Sequence, residues 1–159
     1  MNVKVFMTIN GEKKLRKELN ELKLIKRPKI ISAIKKARAY GDLKENAEYH
    51  AAREEQSFCE GRIREISFKL LNAYVIDTKN IHNKEKVFFG AKVTISNIKS
   101  KKNYTYQIVG DDESNLKKKK ISINSPMAQG LLGKKKDELA KIHTPTGCVK
   151  YQVKKIEYI

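Results

Sequence analysis

The chain has little of what several large classes of protein depend on. It contains no tryptophan, three prolines and two cysteines in 159 residues. Cys59 and Cys148 form no CxxC pair and the histidines are scattered, so neither set has the spacing of a zinc or haem site. No segment approaches the roughly 20 apolar residues of a membrane span, and the N-terminal residues lack the apolar run of a signal peptide. We therefore expect a cytoplasmic protein with reduced thiols.

Acidic residues are also scarce relative to basic ones. The chain has 18 Asp and Glu against 35 Lys and Arg, which gives a formal net charge of +17. Such a balance favours polyanionic partners, nucleic acid among them. Most of the basic residues are lysine, however, and an AT-rich genome would produce that bias without any role in nucleic-acid binding. Both interpretations of the charge stay open.

The first half of the chain carries a helical pattern with one irregularity. Two apolar triplets step by four and three residues, and they are Leu15, Leu19, Leu22 and Ile30, Ile34, Ala37. The triplets lie eight residues apart instead of seven, and the slip falls across Pro28, which cannot donate a helical hydrogen bond. We predict a kink there, or a break with Pro28 restarting the helix. Thr8 or Asn10 is the expected N-cap, and Gly41 is the expected stop.

A second helical pattern follows and keeps its period throughout. Its narrow apolar seam has the spacing of a coiled coil and consists of Tyr49, Ala52, Gln56, Cys59, Ile63, Ile66, Leu70 and Ala73. Two such helices joined by a few residues must run antiparallel as a hairpin. About 29 helical residues would make an arm of roughly 43 Å at 1.5 Å per residue. Residues 39–49 then form the tip at the far end of the hairpin.

After Asp77 the helical period gives way to short runs with the pattern of strands. We expect a linker at 78–86 and a short helix with Ser125 as N-cap, Pro126 at its first position and Gly133 as its stop. The strand-like runs lie at 87–89, 92–98, 104–109, 121–123, 139–143 and 149–156. The predicted fold is α+β. An antiparallel coiled-coil hairpin occupies residues 1–77, and a globular domain with an antiparallel sheet and one short helix occupies 78–159.

The tip is negatively charged although the whole chain is positive. Asp42, Glu45 and Glu48 follow one another at a spacing of three residues. Carboxylates are suitable ligands for Mg²⁺, but two or three on an exposed tip are an incomplete site that a second molecule must complete. The alternative is that Asp42 is only a helix N-cap and Glu45 only a partner of the helix dipole. The spacing alone favours this alternative.

A resemblance bears on this choice. The segment ARAYGDLKENAEYHAARE at 37–54 closely resembles the tip of the bacterial Gre transcript cleavage factors, and 58–63 is nearer to the GreA branch of that family than to GreB. Similarity extends over essentially the whole chain, including 87–90, 108–113 and 124–126. The resemblance implies a C-terminal domain similar to FK506-binding proteins, with no isomerase activity expected.

The resemblance also implies a function and a partner. The C-terminal domain would dock on RNA polymerase, and the coiled coil would enter the secondary channel. There Asp42 and Glu45 would hold a Mg²⁺ shared with the polymerase, which itself hydrolyses the nascent RNA of a backtracked complex. The chain would thus be a cofactor of the polymerase and not an enzyme. Arg38 and Arg53 match a basic patch near the RNA 3′ segment.

The remaining tip residues have other expected roles. Leu43 and Asn46 are expected to shape the tip. The Tyr49 ring either helps to position it or closes the end of the seam. The role of Glu48 is less secure, and a plain surface charge is the alternative.

The sequence therefore supports three hypotheses about function. The first is stimulation of transcript cleavage, which needs the two tip carboxylates. The second is a regulator that only binds in the secondary channel, which needs the hairpin but no acidic tip. The third is general binding of nucleic acid, which follows from the charge of +17 and predicts an affinity that falls steeply with salt.

Overall fold

The computed structural model describes residues 4–81 and 83–158. Residues 1–3, 82 and 159 belong to the predicted domains but lie outside the described ranges. The described chain folds as two compact units. One unit is Glu12–Asn72. The other joins Lys4–Gly11 to the chain from Ala73 onward, and each unit is taken by itself below.

The first unit is a helical hairpin, as predicted. Its first arm runs through α1 (Ile9–Glu21), a π-helical segment (Leu22–Lys26) and α2 (Arg27–Arg38). Its second arm is a single helix, α3 (Ala47–Leu71). As the residue number rises along the first arm, the number of the residue it contacts on the second arm falls. The arms are therefore antiparallel. No helix in the described part of the chain combines the length and apolar character that crossing a membrane requires.

The π-helical segment explains the irregular spacing of the first arm. A π turn closes i→i+5 hydrogen bonds and so takes in one residue more than an α turn. The Arg27 N–H donates to the Leu22 carbonyl in this way. The extra residue absorbs the slip, so Leu22 and Ile30 on either side of the segment are both buried. Pro28 lies in the first turn of α2, where its missing N–H is tolerated.

The core between the arms is a narrow stripe of small and aliphatic side chains. The first arm buries Leu15, Leu22, Ile30 and Ala37, and α3 buries Ala52, Cys59, Ile63 and Ile66. All eight belong to the two seams predicted from the sequence. The predicted seam extends too far at its end, however, since Ala73 lies in a strand and not in the helix. Asn72 ends the helix by donating from its side chain to the Phe68 carbonyl.

Two bidentate ion pairs join the arms beside this stripe. Arg62 contacts Glu18 at 2.7 and 2.9 Å, and Arg27 contacts Glu60 at the same two distances. The hydrogen bonds from Arg62 hold the pKa of the Glu18 carboxyl below its ordinary value of 4.5. The same contact raises the pKa of the Arg62 guanidinium. Because each guanidinium meets its carboxylate in one fixed fork geometry, these pairs set the register of the arms as well as adding stability.

The second unit is built on a sheet of five strands, which are β3 (Ala91–Asn97), β4 (Asn103–Val109), β5 (Lys120–Ser122), β6 (Leu139–Thr144) and β7 (Gly147–Tyr158). Their order across the sheet is β5-β4-β3-β7-β6. The pairs β3–β4, β3–β7 and β6–β7 are antiparallel, as predicted. The pair β4–β5 is parallel, so the sheet is mixed. The α+β class predicted from the sequence is confirmed.

A short helix, α4 (Pro126–Leu131), packs on this sheet next to β6. The Ser125 hydroxyl accepts the Ala128 N–H at 3.2 Å, which confirms Ser125 as the N-cap. Ala128 and Leu131 are fully buried against Val93, Ile95 and Ile142 in the core of the unit. The helix ends at Leu131, and Gly133 follows it with a positive φ of 80°.

The strand predicted at 87–89 is wrong. These residues form a loop that is held by backbone hydrogen bonds to the residues directly after α4. The Val87 N–H donates to the Lys134 carbonyl at 2.9 Å, and the Gly133 N–H donates to the Val87 carbonyl at 2.7 Å. Val87 and Phe89 are buried, so their apolar character reflects burial in a loop and not membership of the sheet.

Two strands that were not predicted flank the hairpin in sequence. These are β1 (Val5–Thr8) and β2 (Ala73–Ile76), and they pair in parallel. Thr8 ends β1 and caps α1, since its hydroxyl accepts the Gly11 N–H at 3.0 Å. The Glu113 carboxylate in turn accepts the Thr8 N–H at 3.0 Å and the Thr8 hydroxyl at 2.6 Å. Glu113 therefore fixes the start of the first helix within the second unit, and Thr8 is confirmed as the N-cap.

Arg62→Ala should destabilise the protein mainly through loss of its contact with Glu18, since its other ion pair, with Glu65 at 3.1 Å, lies within one helix. We expect the free energy of unfolding at pH 7 to fall by about 1 kcal/mol, since the pair is partly exposed and solvent screens it. Because the folded pKa of Glu18 lies below its unfolded value, this contribution is present above the unfolded pKa and is lost as pH falls through the folded one. Urea unfolding at neutral and acidic pH measures it.

Arg64→Ala is the matched control, because Arg64 lies two residues away on the same helix and is exposed. Equal losses for the two variants at pH 7 would contradict the role given to the Arg62–Glu18 pair.

Candidate functional site

The tip, residues 39–49, contains a tight connection of eight residues, 39–46, between α2 and α3. It opens with backbone turns, as the Tyr40 N–H donates to the Ala37 carbonyl and the Gly41 N–H to the Arg38 carbonyl, each at 3.2 Å. Gly41 has a φ of +100°, a conformation that residues with a Cβ rarely adopt. The predicted helix stop at Gly41 therefore has a direct backbone reason.

Asn46 holds the two ends of the tip together. Its side-chain oxygen accepts the Tyr49 N–H at 3.1 Å and so caps α3. Its side-chain nitrogen donates to the Ala37 carbonyl on α2 at 2.8 Å. One amide group thereby satisfies a free donor of one helix and a free acceptor of the other. This geometry agrees with the prediction that Asn46 shapes the tip.

His50 closes the tip from the side of α3. Its Nε2 lies 2.9 Å from the Lys44 carbonyl oxygen. Since a carbonyl only accepts, Nε2 must carry the proton of this hydrogen bond. The Tyr49 ring is half-buried and meets the His50 ring edge to face, with centroids 5.6 Å apart. No role for His50 was predicted from the sequence, and no sequence pattern indicates it, because its bond to the Lys44 carbonyl exists only in the folded loop.

In this arrangement the acidic residues of the tip are exposed to solvent. Asp42 does not cap a helix, so the capping alternative is wrong: Asn46 takes that position. Asp42 instead accepts the Lys44 N–H at 3.0 Å through Oδ1, within the tip loop itself. Asp42 and Glu45 are both exposed. Glu48 lies in the first turn of α3, where a negative charge is favourable next to the helix dipole.

The carboxylates share one open depression at the surface of the tip. It is lined by Tyr40, Asp42, Glu45, Asn46, Ala47 and Glu48. Among the described residues, no group of three or more His, Cys, Asp or Glu side chains is arranged to hold a metal ion. The tip therefore offers a partial set of oxygen ligands, and this donor set suits Mg²⁺ only where other ligands complete it.

The two arginines of the predicted basic patch lie beside the tip and do not line this depression. Arg38 is the last residue of α2 and is exposed. Arg53 is exposed on the second turn of α3, and its guanidinium donates to the Gln56 side chain at 2.7 Å. Leu43, which was expected to shape the tip, is half-buried within the loop.

Asn46→Ala should loosen the tip by removing both bonds of the amide. We expect the free energy of unfolding to fall by about 1–2 kcal/mol, the usual cost of losing such a cap. Asn46→Asp keeps the capping oxygen and loses only the bond to Ala37, so its effect should be smaller. Asn20→Ala, at an exposed position of α1, is the control. The role of Asn46 fails if its alanine variant unfolds in urea no more readily than the Asn20 variant.

Comparison with known proteins places both units in one family. Residues 5–75 match the family described as transcription elongation factor, N-terminal, and 82–158 match transcription elongation factor, GreA/GreB, C-term. The chain is 61% identical to transcription elongation factor GreA of Buchnera aphidicola subsp. Baizongia pistaciae over 158 residues, 99% of each chain. It is 57% identical to the GreA of Hamiltonella defensa over 152 residues, 96% of each chain.

A solved structure is similar at lower identity. It is the GreA factor homolog 1 of Thermus thermophilus, with 23% identity and a TM-score of 0.45 over 98% of this chain and 99% of that one.

Proposed function

The chain belongs to the GreA/GreB family of transcription elongation factors, and from this premise we propose that it stimulates cleavage of nascent RNA by RNA polymerase. The partner would be a polymerase that has backtracked, with the hairpin inserted in its secondary channel and the second unit docked outside. Hydrolysis near the RNA 3′ end would leave a new 3′ end from which elongation resumes. Because polymerase is the partner, the protein would act in the cytoplasm.

The observation that carries this proposal is the pair of exposed carboxylates at the tip. The fold uses Asn46, not Asp42, to cap α3, and Glu45 precedes the helix. Neither Asp42 nor Glu45 is therefore needed to end or begin a helix. They line one depression at the end of the hairpin, where an entering molecule would meet the polymerase first. A regulator that only bound in the channel would have no use for them.

Asp42 and Glu45 are the residues that would hold a Mg²⁺ together with carboxylates of the polymerase. Carboxylate oxygens are ligands that Mg²⁺ prefers, so the partial ligand set described above suits an ion whose remaining ligands come from the polymerase. When bound, the ion would activate the attacking water and stabilise the leaving oxygen. The protein supplies positioning: Asn46 and His50 hold the loop that bears both carboxylates in one conformation. The polymerase would be the enzyme, and this chain its cofactor.

Arg38 and Arg53 would contact the RNA on the flanks of the tip. Both guanidinium groups are exposed and positively charged beside a loop that is negative. Such groups bind phosphate through charge and hydrogen bonds without reading the base. Because they lie outside the acidic depression, Arg38 and Arg53 would hold the RNA, while Asp42 and Glu45 would serve the reaction.

Replacing both tip carboxylates should abolish stimulated cleavage. In a reconstituted backtracked complex, Asp42→Asn with Glu45→Gln should slow RNA cleavage by about 10²-fold or more, the usual cost of removing groups that stabilise transition-state charge. Glu54→Gln with Glu55→Gln removes two exposed charges from the adjoining helix α3 and should cleave at the wild-type rate. Binding to polymerase, measured by competition, should be equal for both variants.

Wild-type cleavage by the tip variant would refute the role given to these carboxylates. If instead the unmodified protein inhibits nucleotide addition and yields no cleavage product, the binding-only alternative is correct.

A further inference from the structure

The five-stranded sheet of the second unit has one face that is open to solvent. Val93, Ile95 and Val153 point to the covered face and are fully buried. Successive side chains of a strand alternate between faces, so the residues between them point the other way. That open face carries the exposed lysines Lys92 on β3, Lys141 on β6, and Lys150 and Lys155 on β7.

Two of these lysines oppose each other directly. Lys141 and Lys150 are register partners in the antiparallel pair β6–β7. Like charges at directly opposite positions destabilise a sheet. Within residues 4–81 and 83–158, neither lysine forms an ion pair with a carboxylate. The sheet therefore retains a repulsion that an anionic partner would relieve.

Further positive charge lies next to this pair. The Ile98 N–H donates to the Lys150 carbonyl, which draws the turn between β3 and β4 against β7. A depression there is lined in part by Lys99 and Lys150. At the other end of the face, Glu157 is paired with Lys155, and this contact lowers the pKa of its carboxyl. The face is thus strongly positive at the end formed by β6, the start of β7 and the turn.

The placement of the aromatic side chains distinguishes between kinds of nucleic acid. Tyr104 and Tyr106 are register partners of Ile95 and Val93, so they lie on the covered face. Tyr151 lies there too, opposite Ala140. Among the described strand residues the open face has no phenylalanine or tyrosine ring, and its one imidazole, His143, lies with Nδ1 3.1 Å from the Cys148 sulfur. Proteins that bind single strands stack bases on such rings, whereas a duplex is held through its phosphates.

We propose that this open face, bearing Lys92, Lys141, Lys150 and Lys155, together with Lys99 in the adjoining turn, binds the phosphate backbone of duplex DNA without regard to sequence. The lysines supply point charges to the phosphates, and a face without tyrosine or phenylalanine side chains on which bases could stack suits an intact duplex. This interaction involves neither the tip nor any residue assigned to RNA cleavage. It would let the second unit hold DNA while the hairpin acts elsewhere.

The test measures binding of the whole protein to a short duplex by fluorescence anisotropy across a salt series, without polymerase. Lys141→Gln with Lys150→Gln should weaken binding about tenfold or more and reduce the slope of log K against log salt by about 1.8, at roughly 0.9 per lost phosphate contact. Lys13→Gln with Lys17→Gln removes the same charge from exposed positions of α1 and should change the slope by less than half as much. The thermal midpoint of the sheet variant should not fall, because a repulsion has been removed.

Three results would overturn the proposal. They are equal losses in the two variants, tighter binding to a single strand of the same length, and no binding of the unmodified protein to the duplex. Since the assay contains no polymerase or RNA, its outcome is independent of the cleavage experiment.

Discussion

The register between the two helical arms is the constraint on which the tip depends. A hairpin of this length buries only a narrow stripe, so each apolar side chain must meet its partner along the whole seam. The spacing of eight residues between Leu22 and Ile30 would rotate half of the first arm away from α3 in a continuous α-helix. The π-helical segment Leu22–Lys26 takes in the extra residue and returns Ile30 and Ala37 to the seam. The Ala37 carbonyl can then meet Asn46.

Most of the hydrogen bonds that hold the tip come from residues other than the two proposed ligands. Asn46 and His50 tie the loop to the helices, and Asp42 adds one bond within the loop through Oδ1. Glu48 has a favourable place in the first turn of α3. Neither Asp42 nor Glu45 caps a helix, and their exposed charges are stabilised by water. In a narrow channel a metal ion and its other ligands would have to replace that water, which is the physical basis of the function proposed for them.

Much of this organisation could be predicted from the sequence, because periodicity reports burial directly. The seams on both arms, the hairpin, the short helix after Ser125 and most of the large sheet follow from apolar spacing and turn residues. The slip near Pro28 locates the irregular segment but does not identify it as π-helical, since either a kink or a π turn can return the following apolar residues to the seam. The parallel pair β1–β2 was missed because four-residue strands next to helices carry too short a pattern. The loop at 87–89 was mistaken for a strand because a short apolar run is buried in either case.

The candidate site likewise has features that could be predicted from the sequence and features that could not. The positions of Asp42 and Glu45 at the end of the hairpin follow from the helical pattern on both sides. The sequence wrongly favoured Asp42 as a helix cap, because Asp42 and Asn46 are both residues that favour caps and lie four apart. His50 was missed because its bond to the Lys44 carbonyl is a contact of the folded loop with no periodic signature. A resemblance names a function for such a tip, but only the folded loop shows which side chains are committed to structure.

The central claim is that Asp42 and Glu45 act as ligands of a Mg²⁺ shared with RNA polymerase. The most direct measurement is the Mg²⁺ dependence of stimulated RNA cleavage in a backtracked complex, with the wild-type protein and with Asp42→Asn alone. Loss of one ligand should raise the Mg²⁺ concentration for half-maximal cleavage by about tenfold and leave part of the rate recoverable at high Mg²⁺. An unchanged midpoint with a lower maximal rate would contradict the claim, since the carboxylate would then act without holding the metal.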